Sequence, residues 1–441
     1  MKRKIVLAAA RIAHRVCSAA GGCYHACRRE RRRYGAVLAA ALLGVMSARA
    51  ELVKYLNPAG YLDEKDCEII KSNMSALNDG KWYAVTESVV HKWGFRVWGS
   101  VNLILCDDVE LNVTGSTSDP GAPGIQLDGG TTLTIYCQTK GTGKLVAKGS
   151  FHHAGIGCWR ENTVAGNLIV YGGNIEAIGD GCAAGIGGSN YHGGSPWTGY
   201  GNGGTVEIFG GKVTATPGGG LSLGVKFNGA GIGGAGYGKG GTVIIHGGTV
   251  VANSNCNGEG YGIGWGLDND KQGRDQQLTL QILGGSVKAK TPSGTARNQN
   301  NDLLQCVTVN CSDLSGALTI QWIDGYGSKD IYKDGDYVYL WLPNGDHKFV
   351  LSNSDKSLNR LYHVNVNGAP VSADPVSVGF WINNTDVGQC IGDGWTYGVD
   401  NVLTINKSGE FVISGWFESN APQVNVAASG AKVVLNGVNL G

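Results

Sequence analysis

The sequence predicts an all-β chain: a parallel β-helix, a small β-sandwich-like module, and the start of a second solenoid. Three observations carry this expectation. Four copies of one phrase, Leu168-Ile-Val-Tyr-Gly-Gly, Val206-Glu-Ile-Phe-Gly-Gly, Val243-Ile-Ile-His-Gly-Gly and Leu280-Gln-Ile-Leu-Gly-Gly, recur at spacings of 38, 37 and 37 residues. A fixed period of this size marks a stacked repeat whose units cannot bury their apolar faces alone. A second marker, Gly-Ile-Gly, recurs at Gly155, Gly185, Gly231 and Gly262. Finally, 47 of the 73 glycines fall between residues 121 and 290 with no Gly-X-Y period, which excludes collagen and leaves a turn-dense β chain.

Residues 1–50 carry eleven Lys/Arg and one acid, Glu30. The basic run Arg28-Arg29-Glu30-Arg31-Arg32-Arg33 precedes an apolar stretch, Ala36 to Met46, too short to span a bilayer. Ala48-Arg49-Ala50 then supplies a small-x-small cleavage site. This is the pattern of a secretory signal with an extended basic n-region, cleaved near Ala50, and it predicts a secreted or cell-surface protein with no transmembrane segment in the mature chain. Residues 51–441 keep 25 basic and 34 acidic residues, a net of −9, which offers no footprint for nucleic acid. The nine cysteines beyond the leader show no CxxC pair and no zinc spacing, so no metal or cofactor is expected. They read mostly as small buried hydrophobes, with a Cys306–Cys311 bridge possible.

Residues 51–82 form a lead-in, with mild helical spacing from Glu64 to Met74 (Cys67, Ile70, Met74). Residues 83–291 form the β-helix. Alternation assigns two inward columns: Leu103, Leu133, Leu168, Val206, Val243, Leu280, and Leu105, Ile135, Val170, Ile208, Ile245, Ile282. Between them an outward column reads Ile104, Thr134, Ile169, Glu207, Ile244, Gln281. After each Gly pair comes a second strand, such as Asn174-Ile-Glu-Ala-Ile. With Gly-Ile-Gly this gives three short strands and three corners per coil, and at the Gly pairs a corner with φ > 0 is expected. Connections from Gly-Ile-Gly to the next strand vary most, at 10, 18, 9 and 15 residues, so insertions project from one edge, often the binding side.

Residues 292–302 read as a polar linker and 303–385 as the sandwich-like module. There, Tyr337 to Leu342 and His347 to Leu351 flank Pro343-Asn-Gly-Asp as an expected hairpin. Residues 394–441 restart solenoid-like segments that read as truncated, as in a fragment of a longer protein.

Trp82-Tyr-Ala-Val, the run Val101 to Gly115, and Leu133 to Leu145, followed by Ala-Gly-Ile-Gly and Gly-Gly-Thr-Val, resemble a Gly-rich β-helix repeat domain (AGIGG…GGTVxIxGGxV) of secreted and surface bacterial proteins. The resemblance covers about residues 60–291, more loosely 394–441. It implies a right-handed parallel β-helix on a large modular extracellular protein, some relatives of which are labelled carbohydrate-binding, and it brings no catalytic motif. The chain departs from the pattern at Cys106, Cys137 and Cys158.

The column before the Gly pairs reads Cys106, Tyr136, Tyr171, Phe209, His246, Leu283 and faces outward. It could stack on sugar rings, but the plainer reading is a coil-to-coil aromatic stack that stabilises the solenoid. Aromatics on the edge insertions are the better glycan candidates: Trp159, Trp197, Tyr200 and Trp265, with Asp268 and Asp270 accepting hydroxyl hydrogen bonds. Trp197, Tyr200 and Trp265 are expected to line a shallow groove over Gly234 to Gly241. Asp107-Asp108 is a turn pair by default, and no carboxylate constellation calls for catalysis. The leading expectation is therefore a non-catalytic β-helix for adhesion or contact with a polysaccharide or surface glycan. A structural stalk stands second, and a polysaccharide lyase or hydrolase third.

Overall fold

The computed structural model describes residues 50–118, 121–159, 163–190, 200–222, 225–254, 260–267, 276–321, 331–353, 359–376, 380–383, 385–389, 391–398, 400–415, 422–436 and 438. Residues 1–49 lie outside them. Glu51–Gly441 forms one compact unit built of strands, with a single 3-10 turn, Val387–Gln389, among the described residues. No helix among them is long and apolar enough to cross a membrane.

The first part is a parallel β-helix of three sheets. A ten-stranded sheet includes Thr132–Cys137, Asn167–Val170, Thr205–Ile208, Gly241–Ile245 and Leu278–Ile282. A seven-stranded second sheet carries Lys144–Lys148, Asn174–Ile178, Lys212–Thr216 and Thr249–Ala252. A seven-stranded third sheet is made of two- and three-residue strands, among them the Ile of each Gly-Ile-Gly. Each repeat of 37 or 38 residues visits the three sheets in turn, so every inward aliphatic stacks on its counterpart one coil away. Leu133, Leu168, Val206, Val243 and Leu280 are consecutive parallel partners. So are Ile135, Val170, Ile208, Ile245 and Ile282, all at most 1% exposed. Ile125, Ile156, Ile186, Ile232 and Ile263 form the third ladder. The second glycine of each pair turns the corner: Gly173, Gly211, Gly248 and Gly285 have φ of +88°, +76°, +78° and +83°. That conformation strains any residue with a Cβ. At Gly211 a Cβ would also strike the Gly173 carbonyl of the preceding coil.

Five local expectations are corrected. The Leu103 strand is displaced by two residues: Leu133 pairs with Val101 and Ile135 with Leu103, so Ile104, not Cys106, precedes Tyr136 in its column. A two-residue slip keeps every side chain on its face, which is why Leu103 and Leu105 are still buried. Ile104, expected outside, is fully buried, because Glu51–Leu56 and Leu62–Ile69 form an antiparallel hairpin over the outer face of the first coils. Leu62–Ile69 thereby replaces the helical turn expected from Glu64, since its edge is paired to Glu51–Leu56 on one side and to Trp82–Val85 on the other. Residues 292–302 are not a free linker: Ala296 and Arg297 pair with Leu280 and Gln281 and add the last rung.

The fifth correction concerns the sandwich. Tyr337–Pro343 pairs with Leu304–Asn310, while Gly345–Asn353 pairs with Leu318–Gln321 and Asn359–Val366. The turn at Asn344 therefore crosses between two facing sheets instead of closing a hairpin. Val307, Val309, Leu340, Phe349 and Tyr362 fill the space between those sheets. Cys306 and Cys311 are not bridged. Beyond it, Trp395–Tyr397 meets Val402–Ile405 antiparallel, and parallel stacking resumes with Gln423–Val426 on Val402–Ile405 and Ala431–Leu435 on Gly409–Gly415. A solenoid thus restarts there, as the first one does, from an antiparallel lead-in.

Among the described residues, two histidines are buried in the β-helix. His91 packs on Phe95 at 4.2 Å and its Nδ1 accepts from the Trp93 amide, while His153 Nδ1 lies 2.7 Å from the Ser150 carbonyl and donates to it. Burial lowers the pKa of both below the ordinary 6.5, outweighing backbone hydrogen bonds that act the other way. The unfolded chain therefore takes up these protons first. Stability falls as the pH drops below about 6.5 and keeps falling until each folded-state pKa is passed. The melting temperature is expected to be lower at pH 5 than at pH 7.5. Replacing both histidines by Gln should flatten that difference, and an unchanged slope would show that other groups set it.

Candidate ligand-binding groove

The edge insertions give little to a ligand among the described residues. Trp159 is half-buried and its amide donates to Asp128 Oδ1 at 2.9 Å. Tyr200 packs on Tyr237 with ring centroids 4.5 Å apart. Trp265 is only 9% exposed, its ring edge-on to Tyr261 at 5.3 Å, so it does not present a face to a sugar as expected. Trp197, Asp268 and Asp270 lie outside the described residues. Residues 234–238, expected to floor a groove, are all buried.

The outward column before the Gly pairs leads elsewhere. Tyr136, Tyr171, Phe209 and His246 stack coil on coil, with centroid separations of 5.3, 4.8 and 4.1 Å and interplanar angles of 16°, 22° and 5°. Trp82 and Tyr55 extend the ladder under the N-terminal hairpin. Near-parallel stacking at one coil spacing consumes the ring faces, so outside the ladder the rings offer edges. Burial, then the neighbouring Tyr171, raises the Tyr136 phenol above its usual pKa.

Beside this ladder runs a groove of about 370 Å³. Its floor is the row of corners Gly172-Gly173, Gly210-Gly211 and Gly247, where missing side chains leave a channel across three coils. One wall is the edge of the Tyr171, Phe209 and His246 stack, and the other carries Asn174 and Lys212. Leu56 and residues 138–141 close one end, and Tyr332 of the sandwich module lines the other. The 138–143 loop is longer than the three-residue corners that follow, and Asp107-Asp108 hold it in place. Lys140 N and Thr142 N donate to the Asp107 carboxylate at 3.1 and 3.3 Å, Thr142 Oγ1 donates to Asp108 Oδ1 at 2.9 Å, and Lys140 Nζ lies 2.8 Å from Asp108 Oδ2. This contact holds the Asp108 carboxyl below the ordinary aspartate value and raises Lys140.

The lining holds two lysines, one histidine, Gln138, Thr139 and Asn174, and no carboxylate. Paired acids for hydrolysis are therefore absent from its described lining. Nor does any group of three or more His, Cys, Asp or Glu converge to hold a metal among the described residues. Burial pushes the thiols of Cys67 and Cys106 up to about 12 and about 11, so they are not activated nucleophiles. The groove can accept hydrogen bonds from hydroxyls, donate to oxygens and attract negative charge.

Residues 168–190, 206–237 and 243–264 match the family described as beta helix repeat. These are the coils that build the ladder and the groove floor. No curated protein and no solved structure matches the chain.

Sequence reasoning missed the groove because it is a gap between columns. Tyr171, Phe209 and His246 were legible as one column and Lys212 as the start of a second strand. The signal that could have joined them is the tandem Gly pair, which removes two side chains per coil at the same corner.

Proposed function

We propose that this chain is a non-catalytic, extracellular β-helix protein that contacts saccharide at the bacterial surface through the groove beside the Gly-pair corners. The observation that carries this reading is the lining itself: a floor without side chains, donors and acceptors along both walls, and no carboxylate to do acid–base work. Its volume is at the lower end of small-ligand sites, roughly 300–1,000 Å³, which suits a few sugar residues. The basic leader and small-x-small site support export, and the match to β-helix repeats fits a surface or polysaccharide-related protein.

A second reading, a spacer between other modules, is favoured by the ring stack, whose faces serve coil-to-coil packing. Asn174→Trp separates the two. Asn174 is half-buried on the groove wall, between Lys144 and Lys212 in register, and an indole there occupies the channel without entering the core. On a glycan array the unaltered chain is expected to retain oligosaccharides, and the variant to lose at least about tenfold in affinity with an unchanged melting temperature. Retention that survives the substitution would remove this groove from consideration, and an array with no retained glycan would leave the spacer.

A further inference from the structure

Resting on that reading, we infer that the groove takes an acidic saccharide, one bearing carboxylate or sulfate groups, and that Lys212 is the residue that selects for charge. The first support is the distribution of charge. Residues 51–441 carry nine more acids than bases, yet the groove lining itself holds Lys140, Lys212 and His246 and no Asp or Glu; behind it Asp108 pairs with Lys140 and Glu207 stands 3.7 Å from His246, which leaves Lys212 as the lining base with no carboxylate beside it among the described residues.

The second support is the contrast between Lys212 and the other lysines of this corner. Lys144, two coils earlier in the same column, sits between Glu110 at 3.6 Å and Glu176 at 3.2 Å. Lys140 is paired with Asp108. The partners of Lys212 in the adjacent coils are Asn174 and Thr249, both neutral, and no carboxylate lies within ion-pair distance of it among the described residues. The half-buried ammonium therefore faces the groove with its charge uncompensated.

The third support is the ring ladder. An aromatic quadrupole is negative over the face and positive at the edge. Because Phe209 is covered on one face by Tyr171 and on the other by His246, the 37% of it that is exposed is edge. A positive rim on one wall and an ammonium on the other favour an anionic group over the neutral pyranose face that a flat exposed ring would take. Closure by residues 138–141 at one end and Tyr332 at the other suits a short oligosaccharide or a chain end.

The test is titration calorimetry on the full chain with three probes of matched length: an oligogalacturonate, a sulfated glycosaminoglycan oligosaccharide and a neutral malto-oligosaccharide. At least one acidic probe is expected to bind at least about tenfold more tightly than the neutral one. That preference should collapse between about 50 mM and about 500 mM salt, as screening shortens the reach of the charge. Comparing the two acidic probes then separates carboxylate from sulfate recognition. Lys212→Gln should abolish the preference and Lys212→Arg should keep it, both with unchanged melting temperature. Equal binding of neutral and acidic probes, insensitive to Lys212→Gln, would overturn the charge assignment and leave saccharide contact standing. Absence of binding by all three, on a chain that also retains nothing on the array, would remove both.

Discussion

Ile208→Asp is expected to abolish recovery of soluble, folded protein. Ile208 is fully buried at the centre of the first sheet, with Val170 stacked on one side and Ile245 on the other. No donor stands in either ladder position, so the carboxylate would be buried unpaired or forced to protonate. Either course costs several kcal/mol, against a typical domain stability of roughly 5–15 kcal/mol. A solenoid amplifies the damage, because each coil is held only by its neighbours and a broken rung separates the coils on either side. Ile208→Val, which removes one methylene and keeps the ladder, should cost only about 1 kcal/mol and leave the fold intact. Chemical denaturation of the two variants checks this. An Asp variant that folds with the native midpoint would mean that these aliphatic columns are not the core.

The solenoid was readable because its signals repeat. Leu168, Val206, Val243 and Leu280 return at one spacing, and the glycine that turns each corner stands at one offset after them. Where the repeat is irregular, reading fails in a predictable direction. The Leu103 coil was placed two residues out because aliphatic residues two apart share a face and look alike, while the length of the following corner decides the register. Pro343-Asn-Gly-Asp was read as a hairpin because turn chemistry is local. Whether the next strand pairs with the last or joins a facing sheet depends on partners tens of residues away, here Leu304–Asn310 and Leu318–Gln321. The aromatic column was legible as a column, but ring orientation was not, and orientation decides between a sugar-stacking surface and a row of edges. Trp265 shows the reverse error: an aromatic on an insertion suggests exposure, yet its own corner supplies Tyr261 to bury it.

Trp341→Ala is expected to cost about 3–5 kcal/mol and to split one melting transition into two. The strand Tyr337–Pro343 serves two cores by alternation: Val338, Leu340 and Leu342 face the interior of the sandwich, while Trp341 joins the core cluster of the β-helix together with Ala296 and Leu304. Its indole Nε1 donates to the Val287 carbonyl at 2.8 Å, and the Tyr339 amide donates to Ser286 Oγ at 2.9 Å, so the module is fastened to the last strand of the second sheet. Removing the indole opens the solenoid core beyond its final coil and loosens the module at the same time. Trp341→Phe keeps most of the packing and loses the hydrogen bond, at about 1 kcal/mol, so it should still melt in one transition. The same fastening reaches the groove, because the Tyr332 amide donates to Thr249 Oγ1 at 2.8 Å and this holds Tyr332 at the groove's end. Affinity for an oligosaccharide should therefore fall in Trp341→Ala although no lining residue has changed, and recover in Trp341→Phe. Scanning calorimetry with and without ligand measures both effects. A single unshifted transition with unaltered affinity would mean that the sandwich rides on the solenoid without closing either its core or its groove.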